Sequence, residues 1–547
     1  MIVSDVIIVG AGPVGTVLAA ELGRRNVSTT LLEMTDGVFR DPRLHAVSIR
    51  TMELVRKWGL THELRTCGWP VEHPQDISFI TSLSGHEIGR IPWPAIAKMQ
   101  APAESPTFAQ RCPQSWFNPI LHRYAQRFPS IQFRWHWRYD RFEQDTEGVT
   151  VYATNVQSGE REVFRSQYLV SCDGARSLVR EHLGVSREST SKYGHSAEAI
   201  IDSPDLANLA RPRQAGRYTV VSSAGVSASL LPYDGKDWFR MTLMAEASQV
   251  DRARMDAAIA EIAGRRVSYR YITDVLPWVN RETSAEKFRI GRVFIAGDAA
   301  HTMPPTGGHG MNTGVLDGFD LGWKLDGVIK GWAGNTLLDS YEFDRKKGAA
   351  RTAAMAGEIY KDWIKIKPWL AEHCTKLACN GVEGEQCRRE VGEKLISTFR
   401  REFNSIGASI GYRYSGSPVI VSDGASEIPD DIVLLTQTAC PGHRLPHAWI
   451  YPGFSTLDLV GDDYTLIEFG TAGKITERFV SAARERQIPL ATSHIVDQQI
   501  EGLFDGKAVI VRPDQHVAWR ARGEKFDAGA VMDVLAGRVA PANGVIS

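Results

Sequence analysis

The sequence predicts an α/β protein built on a Rossmann-like nucleotide-binding domain, with a second sheet domain and a C-terminal domain of thioredoxin-like order. Three observations carry that expectation. An apolar run leads directly into Gly10-Ala-Gly-Pro-Val-Gly15. Two distant segments, Asp173-Gly-Ala-Arg-Ser-Leu-Val-Arg180 and Gly297-Asp-Ala-Ala-His301 followed by Pro304-Pro-Thr-Gly-Gly-His-Gly-Met-Asn312, read as further strand-to-loop turns. The last hundred residues alternate strand and helix patterns and end in a hairpin and a helix. At 547 residues the chain is too long for one core and divides into about three domains.

Residues 4–9 read as a buried strand, continuous in apolar side chains as a parallel strand covered on both faces should be. Gly10 permits the tight turn, and Gly12 lets the backbone approach a pyrophosphate. Gly15 lets the helix that starts near Pro13 pack on the strand, offering its N–H groups and positive dipole end to phosphate. A second strand over 28–32 ends in Glu33, eighteen residues beyond Gly15, where a dinucleotide fold needs an acceptor for ribose hydroxyls. Because one glycine fingerprint is a weak signal, the reading rests on strand, turn, helix, strand and acid together. No second G-x-G-x-x-G occurs, so a nicotinamide dinucleotide would bind only in passing.

Residues 168–171 form another strand, and Asp173 with the following amides offers polar groups to a nucleotide, while Arg176 and Arg180 add positive charge. The strand over 292–296 delivers Asp298 at its C-terminal end, where ligands of open α/β sheets gather. The loop through Pro304, Pro305, Gly308, Gly310, Met311 and Asn312 has little side-chain bulk, so its backbone could lie against a flat ring. A helix runs from Asn312 to about Lys330, with Leu316, Phe319, Trp323 and Leu325 toward the core. Its start would stabilise negative charge on a reduced flavin.

Composition restricts the alternatives. Lysine plus arginine (63) nearly cancel aspartate plus glutamate (64), so no global field draws in nucleic acid or anionic membrane. The seven cysteines contain no C-x-x-C pair, and Cys374, Cys379 and Cys387 fit no common zinc spacing, so neither disulfides nor a metal is expected. No basic n-region precedes the apolar N-terminus, and no run reaches the length of a membrane span. A cytoplasmic small-molecule enzyme is expected.

The three segments together resemble the fingerprints of the class A flavoprotein monooxygenases, the family of p-hydroxybenzoate hydroxylase and phenol hydroxylase, over almost the whole chain. The resemblance implies one FAD, reduction by NADPH or NADH as transient co-substrate, and O2 giving a flavin C4a-hydroperoxide that hydroxylates an activated ring. It assigns Arg43 of Pro42-Arg43-Leu-His45, and Gln114 of Cys112-Pro-Gln114, to FAD contact. The Leu-Glu common after that glutamine is Phe117-Asn118 here, and His309 stands where many relatives have glutamine.

His45, two residues past Arg43, is the first candidate for a base near the substrate hydroxyl, because phenolate reacts faster than phenol. Arg240, in a strand over 238–243, is a candidate substrate anchor; Pro304 resembles the proline beside the reactive flavin position; Tyr218 and Tyr233 are candidate cavity residues. Trp135-His-Trp137 lacks the Ile-Pro that completes a halogenase motif and reads as strand aromatics.

The subgroup resembled is that of the larger enzymes with an appended C-terminal domain, such as 2-hydroxybiphenyl 3-monooxygenase and oxygenases of polycyclic antibiotic pathways. Residues 463–470, 476–487, 489–496, 507–512, 517–520 and 526–539 read as strand, helix, strand, two hairpin strands and helix, a thioredoxin-like order without the redox cysteines. That domain is expected to be structural and to assist a homodimer.

The expected division is 1–75, 108–185 and 280–400 for the FAD-binding domain, 76–107 and 186–279 for the sheet-based substrate domain, and 425–547 for the thioredoxin-like domain. The expected activity is NAD(P)H- and O2-dependent hydroxylation of a substituted phenol, catechol or resorcinol. The alternatives are a tailoring oxygenase of a polycyclic natural product and a flavin-binding protein without oxygenase activity.

Overall fold

The computed structural model describes residues 1–40, 45–245, 250–470, 473–523 and 525–539. The apolar N-terminal run forms Ile2–Val9, whose last four residues are fully covered or nearly so, and it lies inside an eight-stranded sheet. Thr29–Glu33 and then Ile131–Trp135 continue the sheet on one side, and Arg161–Ser171 and then Val293–Ile295 on the other, all parallel. Strand order therefore reverses at Ile2–Val9, and the crevice beyond the C-terminal strand ends there is where such sheets hold ligands. His136 breaks the Trp135-His-Trp137 run with φ +66, so the chain leaves one strand and enters the antiparallel strand Trp137–Gln144.

A second, nine-stranded sheet has the antiparallel strands Leu276–Ala285, Arg187–Asp202, Trp238–Ala245, Gly225–Pro232 and Arg217–Ser222 as its body. Period-two alternation sets its two faces. Phe239, Met241 and Leu243 join Ala197, Ala199 and Ile201 in a core covered by helix Arg252–Ala263. Arg240, Thr242, Ser196 and Glu198 point the other way. The sequence boundary at 280 falls inside Leu276–Ala285, which pairs along Arg187–Asp202, so residues 280–285 belong to the second sheet. The short strand His301–Thr302 extends that sheet directly from the Gly297 turn, with Thr283 and Thr302 hydroxyls 2.7 Å apart.

Helix Gly310–Ile329 starts two residues before Asn312, and it joins two cores: Leu321 and Leu325 pack under the parallel sheet, while Trp323 packs into the C-terminal domain. That domain has the strands Leu490–Ile495, Tyr464–Phe469, Ala508–Val511 and Val517–Ala521 in spatial order, the first pair parallel and the others antiparallel. With helices Lys474–Glu485 and Ala528–Leu535, the arrangement is thioredoxin-like. A short helix, Gln498–Phe504, was absent from the sequence reading. Only two of its residues are buried, too few to leave a periodic signal.

All seven cysteines carry free thiols. Among the described residues, no helix is long and apolar enough to cross a membrane.

Candidate active site

The glycine turn is built by close approach. Gly10 has φ +102, and a Cβ there would lie 2.4 Å from the Cys172 carbonyl; a Cβ on Gly15 would lie 2.0 Å from the Gly10 carbonyl. Gly12 is different, because nothing lies within 4 Å of its Cβ direction. That side faces a cavity of about 920 Å³, enough for a large cofactor together with a small ligand. Helix Pro13–Arg24 opens on it without a side-chain cap, and so does helix Gly310–Ile329. Two uncapped N-termini thus bring unsatisfied N–H groups and positive dipole ends to one space. These features fit FAD: the start of the first helix would hold its pyrophosphate, and the start of the second would stabilise negative charge on the reduced flavin.

The opposed effects of the glycines make a test. Gly15→Ala is expected to yield colourless, poorly folded protein. Gly12→Ala, at φ −65 with open space, is expected to fold with an unchanged apo melting temperature yet lose most of its flavin, read as the absorbance ratio after purification.

Around the cavity the sequence-predicted residues divide. Pro13, Gln114, Asp298, Pro304, Pro305, Gly308, Gly310, Met311 and Asn312 line it, as do His45 and Arg240. Arg43 lies outside the described residues. Glu33 is turned to the glycine turn itself: one carboxylate oxygen accepts the Ala11 N–H at 2.9 Å and keeps a lone pair, while the other accepts both the N–H and the hydroxyl of Thr35. The Asp173 carboxylate accepts from the Ser171 hydroxyl and the Val179 amide, while its neighbours Cys172 and Gly174 form the cavity wall. The Asn312 side chain cross-links the loop: its oxygen accepts from Ser48 N–H and the Thr51 hydroxyl, and its nitrogen donates to the carbonyls of Ala46 and Gly308.

Asn312 thereby fixes the segment that carries His45. That imidazole is buried, with Nε2 3.0 Å from the Pro232 carbonyl and its ring edge-on to Tyr233 at 5.0 Å. A carbonyl only accepts, so Nε2 carries the proton and Nδ1 presents a lone pair. Nδ1 has no hydrogen-bond partner. Burial, with Arg111 and Arg240 nearby, holds the His45 pKa well below 6.5, so the ring stays neutral.

Two sequence expectations are corrected. Tyr218 lies in the core under helix Arg252–Ala263, its hydroxyl bonded to Ala215 N–H and the Arg213 carbonyl. Tyr233 backs His45 and shares a 2.7 Å hydrogen bond with Ser115 instead of facing the cavity.

Arg240 is ion-paired with Glu198 on the neighbouring strand. Sequence reading missed that partner, and also Arg217 with Glu402, Arg111, and the aromatic wall of Trp93, Trp363 and Phe403. The alternation through Phe239, Arg240, Met241 and Thr242 was a usable signal for one face. The helix Val382–Phe403 that brings Glu402 and Phe403 had none, since its register against the sheet is tertiary.

His309, the residue before the second helix, is buried, with Nε2 unpartnered and its pKa pushed down to about 4 by burial and Arg351. His516 is pushed down to about 4 as well, chiefly by burial. In the unfolded chain both titrate near 6.5, so between about 6.5 and 4 the unfolded state binds more protons. Stability is therefore expected to be full above pH 6.5 and to fall as pH drops toward 4, measured as the melting temperature across that range.

Comparison with known proteins agrees with this geometry. Residues 3–356 match the FAD binding domain family and residues 438–541 match the family described as aromatic-ring hydroxylase, C-terminal. The chain is 29% identical to 2,4-dichlorophenol 6-monooxygenase of Cupriavidus pinatubonensis, covering 96% of this chain and 94% of that one. It is 30% identical to tetracenomycin B2 monooxygenase-dioxygenase of Streptomyces olivaceus, covering 98% of each. A structure of RebC soaked with chromopyrrolic acid superposes with a TM-score of 0.90 at 33% identity, covering 98% of this chain and 100% of that one. The two uncapped helices, the shared cavity and both family matches make this chain a member of the FAD-dependent aromatic-ring hydroxylases.

Proposed function

We propose that the cavity seats FAD between the Gly10 turn and the 304–312 loop, and a phenolic ring between the flavin and the second sheet, with His45 accepting the hydroxyl proton. When bound and reduced by NAD(P)H, FAD activates O2 and supplies the electrophilic oxygen. The chain's own groups do the rest. Gly12 and Pro13 receive the pyrophosphate, and Asp298 and Gln114 position the ribityl chain and flavin edge. Glu33, Arg43 and Asp173 support the nucleotide end, and Pro304 with Pro305 sets the distance between ring and flavin. Arg240, held by Glu198, contacts the substrate from the sheet.

The observation that carries this reading is the buried imidazole of His45, its Nδ1 unpartnered, in the wall of the same cavity on which two uncapped helix starts open. A proton accepted there raises electron density on the ring when it is attacked, a contribution of about 10²–10⁴-fold for a positioned base.

A substituted phenol, catechol or resorcinol is the first reading. The wall of Trp93, Trp363 and Phe403 favours a polycyclic phenol as the second. Both are tested by NAD(P)H oxidation with single-ring and polycyclic phenols, hydrogen peroxide being measured alongside. Strong stimulation with little peroxide by one class assigns the substrate; stimulation by neither, or complete conversion to peroxide, counts against the reading. The same reading carries the three-part division of labour, a cytoplasmic setting and a homodimer, the last checked by light scattering on the eluting protein.

A further inference from the structure

Three guanidinium groups line the cavity on the side of the second sheet. Two are matched: Arg240 by Glu198, and Arg217 by Glu402 at 3.4 Å, whose other oxygen accepts from Trp363 Nε1. Arg111 is not. Its contacts are a 3.3 Å hydrogen bond to the Gln75 side-chain oxygen and the Trp69 ring at 5.0 Å, and no carboxylate lies within ion-pair distance among the described residues. Glu104 also lines the cavity but makes no ion pair with it.

The structure makes room for this cation. A Cβ on Gly216, just before the strand Arg217–Ser222, would lie 2.8 Å from Arg111 Nη2 and from the Gln75 backbone, so the guanidinium fits there because that residue has no side chain. Burial, with Arg217 nearby, pulls the guanidinium down to about 10, which leaves it charged at neutral pH. The guanidinium is half-buried, and a partly desolvated cation without a counter-charge is favourably completed by an anion. Guanidinium matches a carboxylate bidentately, with both N–H groups donating.

Position completes the argument. Arg111 pairs across a two-stranded ribbon with Ala46, and the Cys112 N–H donates to the His45 carbonyl at 2.9 Å. The unmatched cation and the neutral imidazole acceptor are therefore held by adjacent residues of one ribbon. We propose that Arg111 anchors a carboxylate of the substrate, so that the ring system bearing the hydroxyl directed at His45 is an aromatic acid. The proposal rests on the hydroxylase reading of the cavity and narrows it.

The test is a binding titration of the FAD-loaded protein, read from the flavin absorbance, with matched probes: 3-hydroxy-2-naphthoate against 2-naphthol, and 3-hydroxybenzoate against phenol. The acid of at least one pair is expected to bind about tenfold tighter than its parent. Arg111→Gln is expected to abolish that preference while leaving the parent's Kd within about twofold, and Arg111→Lys to keep part of it. Gln75→Ala, which removes the one side-chain hydrogen bond that orients the Arg111 guanidinium without removing the charge, is a second variant and should weaken the acid more than its parent. Equal binding of acid and parent by the unaltered protein, or a preference that survives Arg111→Gln, overturns the proposal. Because binding is read without turnover, the two readings fail separately. Acid preference without aromatic-stimulated NAD(P)H oxidation would sink hydroxylation alone, and efficient hydroxylation of neutral phenols without acid preference would sink the anchor alone.

Discussion

His45→Ala is expected to lower turnover by about 10²–10⁴-fold while the protein keeps its FAD. The imidazole is held by the Pro232 carbonyl and the Tyr233 ring and makes no hydrogen bond to the glycine turn, so its loss is expected to remove a proton acceptor and leave the nucleotide cradle intact. The pH profile separates that role from a packing role. Because the folded pKa lies well below 6.5, the unaltered enzyme has its acceptor deprotonated at neutral pH and loses rate only as acidity rises through the depressed value. In His45→Ala the substrate hydroxyl must ionise by itself. Rate should then climb as pH rises toward the pKa of the phenol, about 10 for an unactivated one. A variant with a normal rate, or one whose loss is independent of pH, would show that the imidazole only fills space. The measurement is kcat and kcat/KM across pH, with flavin content fixed by absorbance.

Arg512→Met is expected to destabilise the protein by about 3–5 kcal/mol. This guanidinium, fully buried in the C-terminal hairpin, pairs with Asp514 of its own turn and with Asp320 and Asp344 of two helices of the FAD-binding part. Lys324 shares Asp320 and Asp344. Removing Arg512 leaves three buried carboxylates facing one lysine. The neighbouring turn residue Gln515 accepts from Arg50, which also pairs with Glu53, itself held by Arg444. The hairpin is therefore the electrostatic joint between the thioredoxin-like domain and the helix that starts at the flavin cradle. Denaturant unfolding checks the magnitude, and limited proteolysis should release the C-terminal domain early. A loss below about 0.5 kcal/mol would place Arg512 among ion pairs that contribute nothing net.

This joint illustrates where sequence reading stops. Arg512 and Asp514 sit in a hairpin that was legible from its flanking apolar strands, but Arg512's partners Asp320 and Asp344 lie 192 and 168 residues away, and no local pattern links them. The glycine turn, the Asp298 strand end and the 304–312 loop were legible because each is a local solution to a local problem: a tight turn, a strand terminus, a low-bulk cradle. His45 was found by its place beside a family motif. Its lone pair became visible only with the Pro232 carbonyl, which arrives from another sheet. Asp173 and Glu33 show the converse limit, since residue type and spacing placed them near the nucleotide end without revealing that their carboxylates already hold backbone and hydroxyl groups. Tyr218 failed for a simpler reason: the face of a strand inside a sheet depends on which side the covering helix takes, and Arg252–Ala263 took that one.

The central claim is that the cavity brings FAD, O2 and a phenolic ring together for oxygen insertion. The most direct measurement is turnover of the best-stimulating aromatic probe under ¹⁸O2, with product mass and NAD(P)H consumption read together. The account predicts one labelled oxygen atom per product and one NAD(P)H per hydroxylation, with little peroxide. Unlabelled product, or NAD(P)H consumption that ends entirely in peroxide for every probe that binds, would contradict it.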